Sequence, residues 1–383
     1  MKIVLSGVET NNKGAELMLY AILQEVERKC PDAVVYVEPN SVKQGLSYLK
    51  TKQKLKEKPI GKVVKICSKF HVYGIAYRLK IPTMLMEDVY PIKGADFFLD
   101  GAGFHFSDQW NYPDSYIERK KRLWEGTKRN GTKIVFLPQA FGSFEKPQSL
   151  KYLGYASEYA DIIMAREQQS FDYLSKSGVV DMKKVRLFPD FTSLVEGVFP
   201  IEYANLRNSI CIIPNYNMIE SGTISIEDYL SLLTSFINSA RNKGIESYIL
   251  NHEGIKDEKL AYMCRKKLDN NIDVVTGLNA LEVKGLIASS YMVISSRFHG
   301  VVSSLNSCVP CLATSWSHKY EELYNDYGIC EGVLPLGDIN KAIEKMDVLL
   351  DKEANYAMRK HLEKEIGIIQ DKNREMWNVV WNT

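Results

Sequence analysis

The chain has no long hydrophobic run; none approaches the roughly 18 apolar residues that a membrane span requires. It also lacks G-x-G-x-x-G and G-x-x-x-x-G-K-[ST], so neither a dinucleotide fingerprint nor a P-loop is present. No second Cys pair and no His stands at zinc-ligand spacing, so no metal and no cofactor is expected. Charge of one sign is missing as well. With 49 Lys and Arg against 47 Asp and Glu the net charge is +2, which gives no pull toward nucleic acid. Cysteine is sparse: 7 residues, an odd number, scattered along the chain. Met1-Lys2 runs straight into Ile3-Val4-Leu5, which is expected to open a strand rather than an export signal. Together these features point to a reduced, cytoplasmic compartment. Cys308-Val-Pro-Cys311 has C-x-x-C spacing, but Pro310 opens an apolar run, so two buried structural thiols are expected.

What is present is a rhythm of strand, polar loop and helix. The 383 residues exceed what one core usually organises, and 45% hydrophobic with 25% charged residues is ordinary globular composition. Apolar runs at Ile3–Leu5, Asp96–Leu99, Lys133–Leu137, Ile162–Ala165 and Val185–Phe188 each end in a polar loop. The second half repeats this at Ile210–Ile213, Tyr248–Leu250, Met292–Ile294 and Cys311–Thr314. Leu17, Ala21, Ile22 and Val26 share one helical face, as do Met358, Leu362 and Ile366. Alternating strands and amphipathic helices imply parallel sheets covered on both faces. The expected fold is α/β: two Rossmann-like domains facing across a cleft (GT-B-like), with a C-terminal helical tail. The boundaries are placed at 1–200, 201–345 and 346–383, the tail packing back on the first domain.

Residues 43–80 differ from the rest. They hold eleven Lys and Arg and a single acid, Glu57, interleaved with Tyr48, Leu49, Ile60, Phe70 and Tyr73. Two readings stay open: a solvated insertion, or a patch that docks peripherally on anionic lipid at the inner membrane face.

The strongest chemistry lies at Ser295-Ser296-Arg297-Phe298-His299-Gly300. A strand ends at Ser295, and Gly300 opens a helix. The chain then returns as a second strand, with Lys319 in its exit loop. Successive parallel strands are usually neighbours, so His299 and Lys319 are expected side by side at one sheet edge. A helix N-terminus aimed at the same place adds positive potential. Arg297, Lys319, His299 and that helix end form a trap for a small, highly charged anion. Asn12, Lys13 and Glu16 at the first helix start suggest a second anion- or hydroxyl-binding loop, with a plain helix cap as the alternative. Asp100-Gly101-Ala102-Gly103 lets a backbone approach a ligand closely, or is a tight turn. Trp110 and Trp316 are placed to stack on a sugar or to pack, Asp108, Glu167 and Asp190 to act as acids or caps, and His252 to act directly or in support.

Asn12-Lys-Gly-Ala-Glu16, Leu99-Asp-Gly-Ala-Gly-Phe104 with Asp108-Gln-Trp110, and Leu137-Pro-Gln-Ala-Phe-Gly142 recur in a known order with Ala165-Arg-Glu167 and Ile213-Pro-Asn215. Leu250-Asn-His-Glu253, Ser296-Arg-Phe-His-Gly300 and Ser315-Trp-Ser-His-Lys319 complete the series. In these motifs the chain resembles the polysaccharide pyruvyl transferases over most of its length. The resemblance implies transfer of a pyruvyl group from phosphoenolpyruvate to a hexose, commonly as a 4,6-ketal in a capsular or exopolysaccharide glycan. It implies that Arg166, His299 and Lys319 are catalytic, and that Arg297, Ser296 and Gly300 help bind phosphoenolpyruvate, a co-substrate. Asn12, Lys13, Glu16, Asp100, Gly101, Asp108, Trp110, Gln139, Asn215, His252, Trp316 and His318 are the candidates for the acceptor. A galactose-bearing glycan, including one linked to undecaprenyl diphosphate, is the expected partner. The competing readings are a nucleotide-sugar glycosyltransferase on the same fold and a non-catalytic glycan-binding subunit.

Overall fold

The computed structural model describes residues 1–58, 91–314 and 319–383. The chain forms two compact units. One comprises Met1–Thr10, Met18–Phe191 and Arg374–Thr383; the other comprises Asn11–Leu17 and Thr192–Asn373.

The first unit is built on a parallel sheet of seven strands among the described residues: β1 (Lys2–Ser6), β2 (Val34–Val37), β3 (Lys54–Glu57), β4 (Phe97–Asp100), β5 (Lys133–Gln139), β6 (Ile162–Ala165) and β7 (Val185–Leu187). Their order is β3-β2-β1-β4-β5-β6-β7. The order reverses between β1 and β4, where Ser6 pairs with Asp100. In open α/β sheets ligand-binding loops gather at such a reversal. Among the described residues β3 is the edge strand; it reads Lys-Leu-Lys-Glu, and its charge discourages pairing with another chain. Helix α1 (Lys13–Lys29) buries Leu17, Ala21, Ile22 and Val26 as their spacing predicts, and Arg28 and Lys29 complement its C-terminal dipole. Helices α2 (Asp114–Arg129), α3 (Pro147–Tyr159) and α4 (Gln168–Lys176) follow. The end of the last helix belongs to this unit: the Trp381 ring lies 5.5 Å from Phe97, and its Nε1 donates to Glu25 Oε1 at 2.8 Å.

The second unit carries β8 (Ile210–Ile213), β9 (Ser247–Leu250), β10 (Asp273–Val275), β11 (Met292–Ser295) and β12 (Cys311–Ala313), ordered β10-β9-β8-β11-β12 and all parallel. Side chains alternate between two cores. Ile210, Ile212, Met292 and Ile294 join the core formed with α6 (Ile226–Asn242), α7 (Gly254–Lys267) and α11 (Ile339–Leu350). Cys211, Ile213 and Val293 join the opposite core with α8 (Ala280–Ala288), α9 (Phe298–Asn306) and α12 (Lys352–Trp381). Each such Ile, buried on a doubly covered strand, contributes about 1.5–3 kcal/mol. The short α5 (Asn217–Glu220) follows β8, and α10 (Lys319–Asp326) follows β12. Asn279 and Glu282 form a capping box at the start of α8. Leu362 and Ile366 are buried on α12, as their helical spacing predicts. Cys311 is buried, but Cys308 is only half-buried. The expectation of two interior thiols therefore holds for Cys311 alone. Cys308 adopts φ 55° just beyond α9, where the chain turns before β12.

No described helix is long and apolar enough to cross a membrane. Residues 59–80 of the basic stretch lie outside the described residues. Within 43–58, Lys58 departs from both readings of that stretch, because its side chain is interior, with the residue only 2% exposed. The physical reason is the half-buried carboxylate of Glu38, 3.9 Å from its Nζ.

Candidate active site

The order of the second sheet reverses between β8 and β11, and the loops after these two strands are tied together. Asn215 Nδ2 donates to the Ser296 carbonyl at 3.0 Å, and Tyr320 Oη donates to the same carbonyl at 2.9 Å. The Ser296 hydroxyl bonds to Tyr229 and Thr314. Asn215 Oδ1 accepts from Asn217 N at 2.9 Å. Ser296 and Asn215 are therefore engaged in fixing the loop that presents Arg297 and His299. Gly300 sits in the first turn of α9, where a Cβ would run into Ser295 Oγ.

Arg297 precedes α9. Its Nε donates to Asp257 Oδ2 at 2.7 Å, and its Nη1 donates to Glu253 Oε2 at 2.6 Å. Burial opposes the guanidinium charge, but the bonds and field of Asp257 and Glu253 outweigh it and hold the Arg297 pKa above its usual value. The two acids stand four residues apart at the start of α7 and face one guanidinium. Asn12 then links the first helix to the same network. Its Nδ2 donates to Glu253 Oε1 at 2.8 Å, while its Oδ1 caps α1, accepting from Gly14 N at 2.9 Å and Ala15 N at 3.1 Å.

This places the start of α1 against His299, and a methyl group on Gly14 would overlap the imidazole. His299 thus lies where the N-termini of α1 and α9 meet. Two positive dipole ends meet there, although the N–H groups of Gly14 and Ala15 are already taken by Asn12. Lys13 Nζ pairs with buried Glu16 at 2.7 Å. His252 is fully buried beside these groups. Burial first, then the positive fields of Arg297, His299 and Lys13, drive its pKa well below the usual histidine value. Its Nδ1 has no hydrogen-bond partner among the described residues. Strands β11 and β12 are parallel neighbours, as their succession predicts. Lys319 starts α10 with its Nζ 5.4 Å from the Phe298 ring centre, beside His299 in sequence. Trp316 and His318 lie outside the described residues.

The remaining predicted residues belong to the first unit. Arg166 is buried, with Nε 3.2 Å from Glu167 Oε2 and Nη1 3.6 Å from Asp190 Oδ2. Asp100 Oδ1 accepts from Ala102 N at 3.1 Å, so the Asp100-Gly-Ala-Gly segment is a turn held by its own carboxylate. A Cβ on Gly101 would meet Ile22 and Val8. Gln139 Oε1 accepts from His105 N at 3.3 Å. Asp108 caps the start of α3: it accepts from Glu145 N at 2.7 Å, Lys146 N at 3.1 Å and the hydroxyls of Ser143 and Ser149. Burial pushes its pKa up, but these donors outweigh burial and hold the carboxyl below its usual value.

Several residues were missed by sequence reasoning. Asp257, Tyr229, Thr314 and Tyr320 hold the loop of Arg297 and His299. Asp257 was recoverable, because an acid four residues after Glu253, following a strand end, is a natural partner for an exit-loop Arg. A second cluster, in the first unit, gave no sequence signal. Lys58 Nζ and Lys120 Nζ lie 3.9 and 4.0 Å from Glu38 Oε1, and Ser6 Oγ donates to that oxygen at 2.8 Å. Burial lowers the Lys58 pKa to about 8, with Glu38 opposing it and Lys120 reinforcing it.

In fold, the chain is an α/β protein of the kind used by nucleotide-sugar enzymes. The UDP-GlcNAc 2-epimerase of Neisseria meningitidis, solved with UDP-GlcNAc, superposes with a TM-score of 0.63 at 11% identity over 100% of both chains. Anabaena HepE, solved with UDP and glucose, gives 0.58 at 10% identity over 100% of both. The Methanocaldococcus jannaschii UDP-GlcNAc 2-epimerase gives 0.57 at 10% identity over 92% of this chain and 94% of that one. At such identity the likeness speaks for the fold alone. No curated protein matches the chain. Residues 12–318 match the model of the polysaccharide pyruvyl transferases, and the chain belongs to that family.

Proposed function

We propose that this pyruvyl transferase takes its pyruvyl group from phosphoenolpyruvate and places it as a ketal on a hexose, with galactose the leading candidate, in a glycan or lipid-linked glycan precursor. The observation that carries the proposal is the convergence of two helix N-termini on the His299 imidazole, with Lys13 and Arg297 nearby. Phosphoenolpyruvate brings a phosphate and a carboxylate on one small skeleton, and such a site suits a compact polyanion.

In the proposed reaction His299 delivers a proton to the methylene carbon, which becomes the methyl group. A sugar hydroxyl attacks the carbon bearing the phosphate, phosphate leaves, and the second hydroxyl attacks the same carbon to close the ketal. Of the two hydroxyl protons lost, one restores the imidazolium and one leaves with inorganic phosphate, so the step is balanced without oxidant or metal. Lys319 and the backbone N–H groups at the start of α9 would hold the phosphate as its charge grows. Arg297, already neutralised by Asp257 and Glu253, would act chiefly by fixing the loop and its remaining N–H groups. Arg166 of the first unit keeps its catalytic assignment through its motif alone.

The test supplies purified protein and a galactose-bearing acceptor with either phosphoenolpyruvate or a UDP-sugar. Phosphate release that requires both phosphoenolpyruvate and acceptor supports the proposal. Release of UDP, with phosphoenolpyruvate inert, would assign a glycosyltransferase instead.

A further inference from the structure

A cavity of about 400 Å³ lies in the first unit, between the Ser107–Asp114 loop and the start of α3. This is within the usual range for small-molecule pockets, ~300–1,000 Å³. One wall is aromatic and braced. Trp110 stacks on Tyr112 with an interplanar angle of 18°, and Tyr112 stacks on Tyr116 at 4.4 Å. Phe104 meets the Trp110 ring edge-on at 6.3 Å. Although held in this way, Trp110 remains 40% exposed. The other walls are polar: Asn111, Asp114, Lys146 and Gln148 line the same cavity. Lys146 Nζ donates to Asn111 Oδ1 at 2.6 Å and to the Asp108 carbonyl at 2.9 Å, which fixes the amide and the ammonium in place. Asp108 in turn ties the Trp110 loop to α3 through the backbone N–H groups of Glu145 and Lys146.

A pre-ordered, half-exposed indole facing amides, a carboxylate and an ammonium suits one ligand class in particular. A pyranose has an apolar C–H face that stacks on an aromatic ring, and a rim of hydroxyls that both donate and accept. A phosphate-bearing ligand fits less well, because Asp114 lines the cavity and two of the three Lys146 N–H groups are already spent on neutral acceptors. We infer that this cavity is a carbohydrate subsite that holds one pyranose ring of the acceptor glycan against Trp110. The inference rests on the acceptor being a glycan, as proposed above, and is independent of the donor.

Saturation-transfer NMR on the full chain tests it without turnover, using methyl β-D-galactopyranoside, methyl α-D-glucopyranoside and methyl α-D-mannopyranoside as probes. The wild type is expected to transfer saturation to at least one probe. Trp110→Ala should weaken apparent affinity for that probe at least tenfold, and Gln148→Ala should weaken it to a smaller degree. Circular dichroism and the melting midpoint establish that each variant is folded, and Gln148→Ala, at an exposed position, carries the test if Trp110→Ala does not fold. No transfer from any probe to the wild type, or equal transfer to the wild type and both cavity variants, overturns the inference. Failure of the donor chemistry would appear separately, as absent phosphate release from phosphoenolpyruvate with sugar transfer intact.

Discussion

Gly14, in the first turn of α1, packs directly against the imidazole of His299. Asn12 secures this approach by capping α1 through Oδ1 while its Nδ2 holds Glu253, the carboxylate that also binds Arg297. The space for a side chain at residue 14 is occupied by the ring.

Gly14→Ala therefore separates activity from stability. Its φ is not left-handed, so alanine suits the helix and by propensity alone would favour it by up to ~1 kcal/mol. The methyl group must displace the ring, and turnover should fall by about 100-fold, the usual worth of a positioned acid–base group. Thermal denaturation and steady-state kinetics on one preparation check this. An unchanged rate would mean that the imidazole does not work from this position.

Acid sensitivity should trace to two histidines, His252, which is buried, and His105, which is half-buried. Burial lowers the pKa of His252 and also that of His105. Both therefore stay neutral in the folded chain while the unfolded chain takes up protons below its pKa of about 6.5. The histidine contribution should be level above that pH and fall below it, by at most ~1.4 kcal/mol per pH unit for each group. Denaturation midpoints at pH 7 and pH 5.5 measure the loss, and His252→Gln should reduce it. A His252 resonance that titrates near pH 6.5 would contradict this account.

Lys58 predicts the opposite limb of the pH curve. Its folded pKa of about 8 lies below the unfolded value, so the folded state binds fewer protons between the two. Stability should rise as pH increases from 8 toward 10.5, and the cost of the buried ammonium should be fully present below 8. Relative to Lys58→Met, the wild type should gain on the order of 3 kcal/mol across that window. Equal pH dependence of the two proteins, read from chemical denaturation, would remove Lys58 as the source.

Asp257→Ala should leave the Arg297 guanidinium buried with only Glu253 to pair it. Breaking one side of a buried pair costs about 3 kcal/mol or more, whereas Glu253→Gln, which keeps a hydrogen-bond acceptor, should cost less. Melting of the two variants orders them.

Much of this architecture was legible in the residues. Ile210–Ile213 and Met292–Ile294 are continuous apolar runs, as doubly covered strands must be, and their exit loops announced Asn215, Ser296, Arg297 and His299. Strand β3 was not legible, because Lys-Leu-Lys-Glu is an edge strand whose charged residues imitate a loop. The partner of His299 was hidden for another reason: Gly14 is 285 residues away in sequence, and a glycine leaves no chemical trace of what it makes room for. Asp108 stayed open between acid and cap in the sequence, because a capping carboxylate and a catalytic one look alike until their donors are known. Lys58 read as surface charge because nothing local to it reveals Glu38, a carboxylate brought close by the sheet.

The most direct measurement is mass spectrometry of galactose-bearing, lipid-linked mono- and disaccharides after incubation with phosphoenolpyruvate and either wild type or His299→Ala. One added pyruvyl ketal per acceptor is expected, matched by one inorganic phosphate, with a rate at least ~100-fold lower in the variant. Acceptors unchanged in mass with the wild type, or a variant that forms the ketal at near-native rate, would contradict it.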